Sequence, residues 1–204
     1  MSASLFSPLA RWIWPDGQRI DNRLVVFRRN FCVDAPPAEA VLRITADTRY
    51  EVFVNGAWLG FGPARGWRER WFVDQYCLAG LLKPGHNTIA VSVHEWGLGT
   101  YQYIDAAPGL LAEVFWNDAS GRHSVPTGKD WRAADETGRI RHTGRISCQQ
   151  GFEEVFDARM ALGDWTQPDY DDSEWAPAIE GAREGEGPHP ALELRDIPLH
   201  ARAA

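Results

Sequence analysis

The fold class is decided by residues 41–96, VLRITADTRYEVFVNGAWLGFGPARGWRERWFVDQYCLAGLLKPGHNTIAVSVHEW. Residues 50–54 are apolar and β-prone at every position but one, and Asn55-Gly56 follows directly. Asn-Gly favours a type I′ hairpin turn, because both central residues of that turn need a positive φ. Residues 88–94 alternate apolar and polar side chains, which is typical of a strand with one buried face. The stretch therefore predicts a β-sheet that is buried on one side.

Composition extends this prediction to the whole chain of 204 residues. The chain is 44% hydrophobic and 24% charged, which is ordinary for a globular protein. Its 10 Trp, 19 Gly and 13 Pro favour short strands joined by tight turns over helices. Turn signals recur at intervals of about 8–12 residues. We therefore expect an all-β fold, an antiparallel β-sandwich or jelly roll.

Charge and hydropathy exclude several classes of partner. A net charge of −7 argues against a nucleic-acid partner, because phosphate binding needs a basic face. No segment approaches the roughly 20 apolar residues of a membrane span, so we expect no membrane partner. The N-terminal residues lack the charged and apolar regions of a signal peptide, and we expect a cytoplasmic protein.

The pattern along the chain predicts three parts: an N-terminal extension at 1–23, a β-sandwich at 24–180 and a linker at 181–204. Residues 12–14 precede a turn and indicate an apolar flap and not a strand. Residues 151–157, GFEEVFD, are interpreted as a last strand.

The cysteines indicate neither a disulfide framework nor a zinc site. Cys32, Cys77 and Cys148 are odd in number and widely spaced, without a Cys-x-x-Cys pair. We expect buried, reduced thiols.

No catalytic constellation is evident in the sequence. A glycosidase needs two carboxylates roughly 5–5.5 Å or 6.5–9.5 Å apart, and adjacent acids in turns are more often solvated caps than such a pair. His94-Glu95 lacks the second His, four residues later, of a zinc protease. No Gly-x-Ser-x-Gly elbow and no phosphate-binding loop occurs. We expect no catalytic residues in this chain.

An acidic stretch near the C-terminus resembles a calcium loop only in part. The positions of calcium ligands are occupied by Asp169, Asp171, Ser173 and Glu180. However, Glu174 replaces the required Gly, and Pro177 occupies the ninth position. We interpret the stretch as a turn whose Asp and Ser side chains bond nearby backbone, and expect no metal site or cofactor there.

Aromatic and polar side chains cluster in the two loops that flank the central strands. These candidate carbohydrate-binding residues are Arg65, Trp67, His94, Glu95, Trp96, Tyr101 and Gln102, with Tyr103 beside them. Sugars stack their apolar face on aromatic rings and offer hydroxyls to planar polar groups. The alternative is that these aromatic residues seal the edge of the sandwich or pack on a neighbouring domain.

Several short patterns occur together in the chain. They are a Tyr-x-x-x-Val-Asn-Gly hairpin at 50–56, a Gly-Pro-x-Arg-Gly loop at 62–66, an aromatic-x-Asp-x-Tyr stretch at 72–76, a Leu-x-Pro-Gly-x-Asn turn at 82–87, and the segments GLLAEV (109–114), GFEEVFDAR (151–159) and DWTQPDYDDSEWAPA (164–178). In this combination the chain, from about residue 24 onward, resembles the N-terminal β-sandwich of bacterial α-L-rhamnosidases.

The resemblance implies a galactose-binding-like jelly roll attached to a glycoside hydrolase, in which a separate helical toroid beyond Ala204 carries out hydrolysis. The chain would then be a piece of a longer polypeptide or a short homologue. Its implied role is that of a non-catalytic accessory domain supporting the catalytic domain of the same polypeptide or its substrate. An alternative is a module that binds rhamnose-containing glycans through the aromatic loops, in some relatives with calcium; here Cys77 stands where an Asp is common. A self-contained enzyme is the third hypothesis, and no motif supports it.

Overall fold

The computed structural model describes residues 4–200, and these residues contain two stacked β-sheets and no helix. The strands are β1 (Ile13–Trp14), β2 (Arg23–Val33), β3 (Ala40–Asp47), β4 (Arg49–Val54), β5 (Ala57–Gly62), β6 (Trp71–Cys77), β7 (Gly85–Glu95), β8 (Gly109–Asp118), β9 (Gly121–Pro126), β10 (Arg132–Asp135), β11 (Ala176–Pro177), β12 (Ile179–Glu180) and β13 (Leu192–Leu194). The predicted all-β class is confirmed.

The first sheet has the order β12-β1-β8-β3-β6-β13, with β9 paired to β8. The second sheet has the order β11-β10-β2-β7-β4-β5. Neighbouring strands are antiparallel except that β13 runs parallel to β6. The architecture is therefore the predicted antiparallel β-sandwich.

The core lies between the sheets because alternate residues of each strand point inward. Val25, Phe27 and Val91 of the second sheet and Leu42 and Ile44 of the first are fully buried in one cluster. Burial of one such side chain contributes about 1.5–3 kcal/mol. In β7, the alternation of apolar and polar side chains at residues 88–94 places the β-branched apolar ones in this core.

The Asn-Gly turn between β4 and β5 is formed as predicted. Asn55 has φ 51° and Gly56 has φ 81°. The Asn55 side chain also donates from Nδ2 to Asn87 Oδ1 at 2.9 Å, and its Oδ1 accepts from the backbone N–H of Thr88 at 2.9 Å. These bonds tie the hairpin to the start of β7.

The acidic turn near residue 170 covers the outer face of the second sheet. Arg28 of β2 is fully buried there and donates from Nε to Asp172 Oδ2 at 2.8 Å. The Ser173 amide donates to Asp171 Oδ1 at 3.0 Å, which confirms the predicted bonding of this turn to its own backbone. The turn provides the counter-charge for a buried arginine.

Three local predictions are wrong. Ile13–Trp14 is a strand and not a flap, because its two buried residues pair with β12 and β8. Residues 151–157 form only one bridge, between Phe156 and Arg139, and Phe156 is half exposed, so little apolar burial favours a strand there. The cysteines are free but exposed, since they lie on outward-facing or loop positions.

The C-terminal part of the described chain also packs on the sandwich. Leu192–Leu194 pairs in register with residues 71–73 of β6, in the region that the sequence marks as a linker. The boundaries 1–23, 24–180 and 181–204 themselves stay predictions. Within residues 4–200, no helix has the length and hydropathy needed to cross a membrane.

Candidate functional site

Two loops at one end of the sandwich enclose a cavity of about 440 Å³, here called the loop groove. One loop follows β5 and the other follows β7. The lining consists of residues 65–67 and 100–104 with Arg70 and Phe72. Four of the predicted carbohydrate-binding residues therefore share one cavity: Arg65, Trp67, Tyr101 and Gln102.

The aromatic rings at the mouth of the loop groove are accessible. Trp67 is 67% exposed and Tyr101 is 81% exposed. Trp67 and Arg70 exchange backbone hydrogen bonds of 3.0 and 2.9 Å, and the Thr100 amide donates to the Tyr103 carbonyl at 2.9 Å. Both loops therefore contain tight turns at the positions that carry these rings.

Trp96 forms the wall behind the loop groove. It is buried and packs with Trp71 and Tyr103. The guanidinium of Arg65 lies 5.1 Å from the centre of the Trp96 ring, and that of Arg49 lies 5.2 Å from it. Burial lowers the pKa of Arg65 to about 10, with a further contribution from Arg49. Arg65 therefore remains cationic at neutral pH.

His94 lines a different cavity, of about 340 Å³, on the outer face of the second sheet. This sheet-face cavity shares no lining residue with the loop groove, and the Trp96 ring contacts one arginine of each. Burial lowers the pKa of His94 to about 3, assisted by the charges of Arg139 and Arg49. His94 is consequently a neutral imidazole at physiological pH.

Glu95 faces the interior, because neighbouring residues of a strand point to opposite faces. Burial, followed by the nearby charge of Asp47, raises the pKa of Glu95 to about 8. Arg19 Nε lies 3.7 Å from Glu95 Oε1 and acts in the opposite direction. Glu95 lines neither cavity and is a buried group that is largely protonated at neutral pH.

A buried cluster behind the loop groove was not predicted from sequence. His189 Nε2 lies 2.7 Å from Asp47 Oδ2, and the His189 ring stacks on Trp71 with centroids 3.8 Å apart. Tyr103 donates its hydroxyl to the other oxygen of Asp47. His189 and Asp47 are 142 residues apart, and no local pattern links them.

A second buried carboxylate anchors the segment after β13. Arg195 Nη1 donates to Asp74 Oδ1 at 3.2 Å, and Tyr50 donates its hydroxyl to Asp74 Oδ2. Burial raises the pKa of Asp74, while these hydrogen bonds lower it. A Cβ at Gly62 would overlap the Asp74 carboxylate and approach the Tyr50 hydroxyl. The family-like patterns at 50–56, 62–66 and 72–76 thus meet around one anchor.

The described residues do not assemble a metal centre or a hydrolytic triad. Among residues 4–200, no group of three or more His, Cys, Asp and Glu side chains is placed to hold a metal ion. Ser120 and Asp118 both contact the same nitrogen of His123, at 2.9 Å each, and Ser120 donates to Asp118. A relay needs the acid and the nucleophile on different ring nitrogens, so this trio only closes the β8–β9 turn.

Two stacked antiparallel sheets with an aromatic groove between their end loops place the chain in the class of β-sandwich modules. Residues 35–195 match the family model described as Alpha-L-rhamnosidase N-terminal domain. The chain belongs to this family, as its sequence patterns predict.

Solved and curated relatives agree with this assignment. A crystal structure of a GH78 family rhamnosidase from Bacillus sp. GL1 is 40% identical, with a TM-score of 0.86, over 94% of this chain and 20% of that one. An alpha-L-rhamnosidase from Streptomyces avermitilis is 33% identical over 71% of this chain, and one from Alteromonas sp. (strain LOR) is 27% identical over 76%. The chain spans only 14% and 18% of the lengths of these two curated relatives.

Proposed function

We propose that this chain is the non-catalytic accessory sandwich of an α-L-rhamnosidase-type glycoside hydrolase, and that it fixes the position of the catalytic domain of the same polypeptide. The observation that carries the proposal is the anchoring of the C-terminal segment. His189 and Arg195 are each held by a buried carboxylate, and β13 between them pairs with β6.

The anchoring extends beyond Arg195. Its guanidinium donates from Nε to the Ile197 carbonyl at 3.1 Å and from Nη2 to the Pro198 carbonyl at 2.9 Å. A segment held in this way, whose Leu199 also packs against the core, follows one path over the sandwich, whereas a flexible linker would allow many. A domain attached there would therefore be oriented relative to the sandwich.

Exposed apolar residues of the loop groove, whose Arg70 pairs with Glu193 and Asp196, support a domain contact. Tyr101 and Ile104 of the loop groove are 81% and 47% exposed, and Ile197 of the C-terminal segment is 54% exposed. Clusters of exposed apolar residues commonly mark interaction surfaces. A catalytic domain that follows the C-terminal segment is a suitable partner for them.

The test compares the isolated chain with the full-length polypeptide that carries it. The isolated chain should not hydrolyse an aryl α-L-rhamnoside. Tyr101→Ala should lower the melting temperature of the full-length polypeptide by several degrees and leave that of the isolated chain unchanged. Tyr170→Ala alters a tyrosine in the acidic turn on the outer face of the second sheet, outside the loop groove, and should affect both proteins equally. Equal effects of Tyr101→Ala on both proteins would refute domain contact at the groove.

A carbohydrate-binding module is the second candidate, because one cavity unites Arg65, Trp67, Tyr101 and Gln102. Its ligands would be rhamnose-containing glycans, bound with or without calcium. Titration with rhamnosyl oligosaccharides in calcium and in a chelator should give saturable binding that Trp67→Ala abolishes. No binding in either buffer would remove this candidate. A cytoplasmic location remains our prediction.

A further inference from the structure

The sheet-face cavity has a floor made by three adjacent strands. His94 of β7 lies opposite Leu24 of β2 and Arg49 of β4, and Ser92 lies opposite Glu51. All of these residues line the cavity of about 340 Å³. This volume falls at the lower end of the range of roughly 300–1,000 Å³ that is typical of small-molecule sites.

The rim comes from the layer that covers this sheet. Arg139 is almost fully buried, at 4% side-chain exposure, and its Nη1 lies 3.1 Å from Glu154 Oε1. Its Nε is buried without a hydrogen-bond partner among residues 4–200. Glu154 is 74% exposed, so the rim presents a solvent-accessible carboxylate.

The hydrogen bonds of Asn22 define the state of His94. Asn22 Nδ2 donates to the Arg141 carbonyl at 2.6 Å, which leaves Asn22 Oδ1 to face His94 Nε2 at 2.9 Å. An amide oxygen only accepts, and Arg139 Nη2, which lies 3.4 Å from His94 Nε2, can donate to the same Asn22 Oδ1 at 3.4 Å, so the arrangement fits a proton on Nε2 of His94. Its Nδ1 is then an acceptor, consistent with the lowered pKa of this histidine.

The positively and negatively charged side chains that line the cavity are equal in number. Arg49 and Arg139 contribute two positive charges, and Glu51 and Glu154 contribute two negative ones, while His94 is neutral. An anionic ligand would face both carboxylates, and a cationic ligand would face both guanidinium groups. A ligand with several hydroxyl groups can donate to the carboxylates and accept from the guanidinium groups at once.

The cavity also has apolar lining residues, Leu24 on the floor and Phe61 of β5, which is 40% exposed and whose ring stacks on one side against His200 with centroids 4.8 Å apart. A pyranose ring offers C–H groups to such residues and hydroxyls to polar groups. We propose that the sheet-face cavity is a binding site for a neutral monosaccharide unit. The site shares no lining residue with the loop groove.

The test is a titration of the ¹⁵N-labelled chain, observed by amide NMR spectra, with L-rhamnose, D-galactose, D-glucose and D-glucuronate. At least one neutral sugar should shift the amides of Leu24, Ser92 and His94 saturably and leave those of Gly66 and Thr100 in place. Tighter binding of D-glucuronate than of every neutral sugar would overturn the proposal. So would shifts confined to Gly66 and Thr100, or no saturable shift with any sugar.

Two exposed neighbours provide a matched pair of variants. Glu154→Gln removes a charged acceptor from the rim and should weaken binding by about tenfold or more, because hydrogen bonds to charged groups are the stronger ones. Glu153→Gln makes the same change outside the cavity and should leave binding unchanged. Ser92→Ala, a small change on the floor, should also weaken binding. Equal affinities of the wild type and of both cavity variants, Glu154→Gln and Ser92→Ala, would place the ligand elsewhere.

Discussion

Arg195 and Asp74 form an ion pair in which the carboxylate is completely buried and the arginine side chain is only 7% exposed. Asp74 belongs to β6, and Arg195 follows β13, the edge strand that pairs with β6. The pair thus joins the interior of the sandwich to the segment that follows β13.

Removing the arginine from this pair should strongly destabilise the domain. Arg195→Met leaves a buried carboxylate without its counter-charge, and we expect a loss of about 3–5 kcal/mol in the free energy of unfolding. Urea denaturation followed by tryptophan fluorescence measures it. Arg159→Met breaks the exposed pair with Asp157 and should change the free energy by less than about 1 kcal/mol. Similar losses in the two variants would contradict the role assigned to Arg195.

Glu95 should make stability fall as the pH rises. Its pKa is about 8 in the folded chain and 4.5 ordinarily, so between these values the folded state binds more protons than the unfolded state. Stability from this group is complete below pH 4.5 and decreases toward pH 8, with a slope of at most about 1.4 kcal/mol per pH unit.

Glu95→Gln replaces the titrating carboxyl group by a neutral amide and so isolates the effect of Glu95 on stability. The difference in unfolding free energy between the variant and the wild type should increase from pH 5 to pH 8 in favour of the variant. The exposed Glu186→Gln is the matched control for the loss of one carboxyl group. A constant difference for Glu95→Gln would show that Glu95 is ionised throughout.

His94 should remain neutral where an ordinary histidine is charged. Its folded pKa is about 3 against an ordinary 6.5, so its imidazole ¹⁵N signals should not move between pH 5 and pH 8. The same signals should titrate in the urea-unfolded chain. Because only the unfolded state binds the proton, stability from this group is lost as the pH falls from 6.5 toward 3. A midpoint near pH 6.5 in the folded chain would contradict the desolvated environment.

Gly62 should not tolerate a side chain. A Cβ there would overlap the Asp74 carboxylate, and we expect Gly62→Ala to cost about 1–3 kcal/mol, as overpacking in a core does. Gly17→Ala is the control, since no atom lies within 4 Å of its added Cβ. Thermal unfolding of the two variants measures the difference. Equal melting temperatures would mean that the carboxylate moves aside freely.

The local elements were predictable because their causes are local. The turn at Asn55 and Gly56 follows from two residues that accept positive φ, and β7 follows from its alternation. The strand at Ile13–Trp14 is too short to show a period, and its residues pair with partners about 100 residues or more away. The anchors of His189 and Arg195 depend on equally distant partners, so no window of sequence indicates them.

The candidate site was predictable in composition and only partly in geometry. The sequence groups His94, Glu95 and Trp96 as one cluster because they are consecutive. On a strand, consecutive side chains face opposite sides, so His94 enters the sheet-face cavity while Glu95 enters the core. That division could have been inferred from the alternation alone. The proximity of Trp67 to Tyr101 could not, since it requires the two loops to meet.

The parallel pairing of Leu192–Leu194 with β6 has a consequence for biosynthesis. A chain emerging from the ribosome has Asp47 and Asp74 long before His189 and Arg195, the groups that compensate them. Until residues 189–195 have emerged from the ribosome, the nascent sandwich carries two carboxylates in a nearly closed interior. Completion of the sandwich therefore waits for the segment around Leu192–Leu194, which brings His189 and Arg195 to these carboxylates.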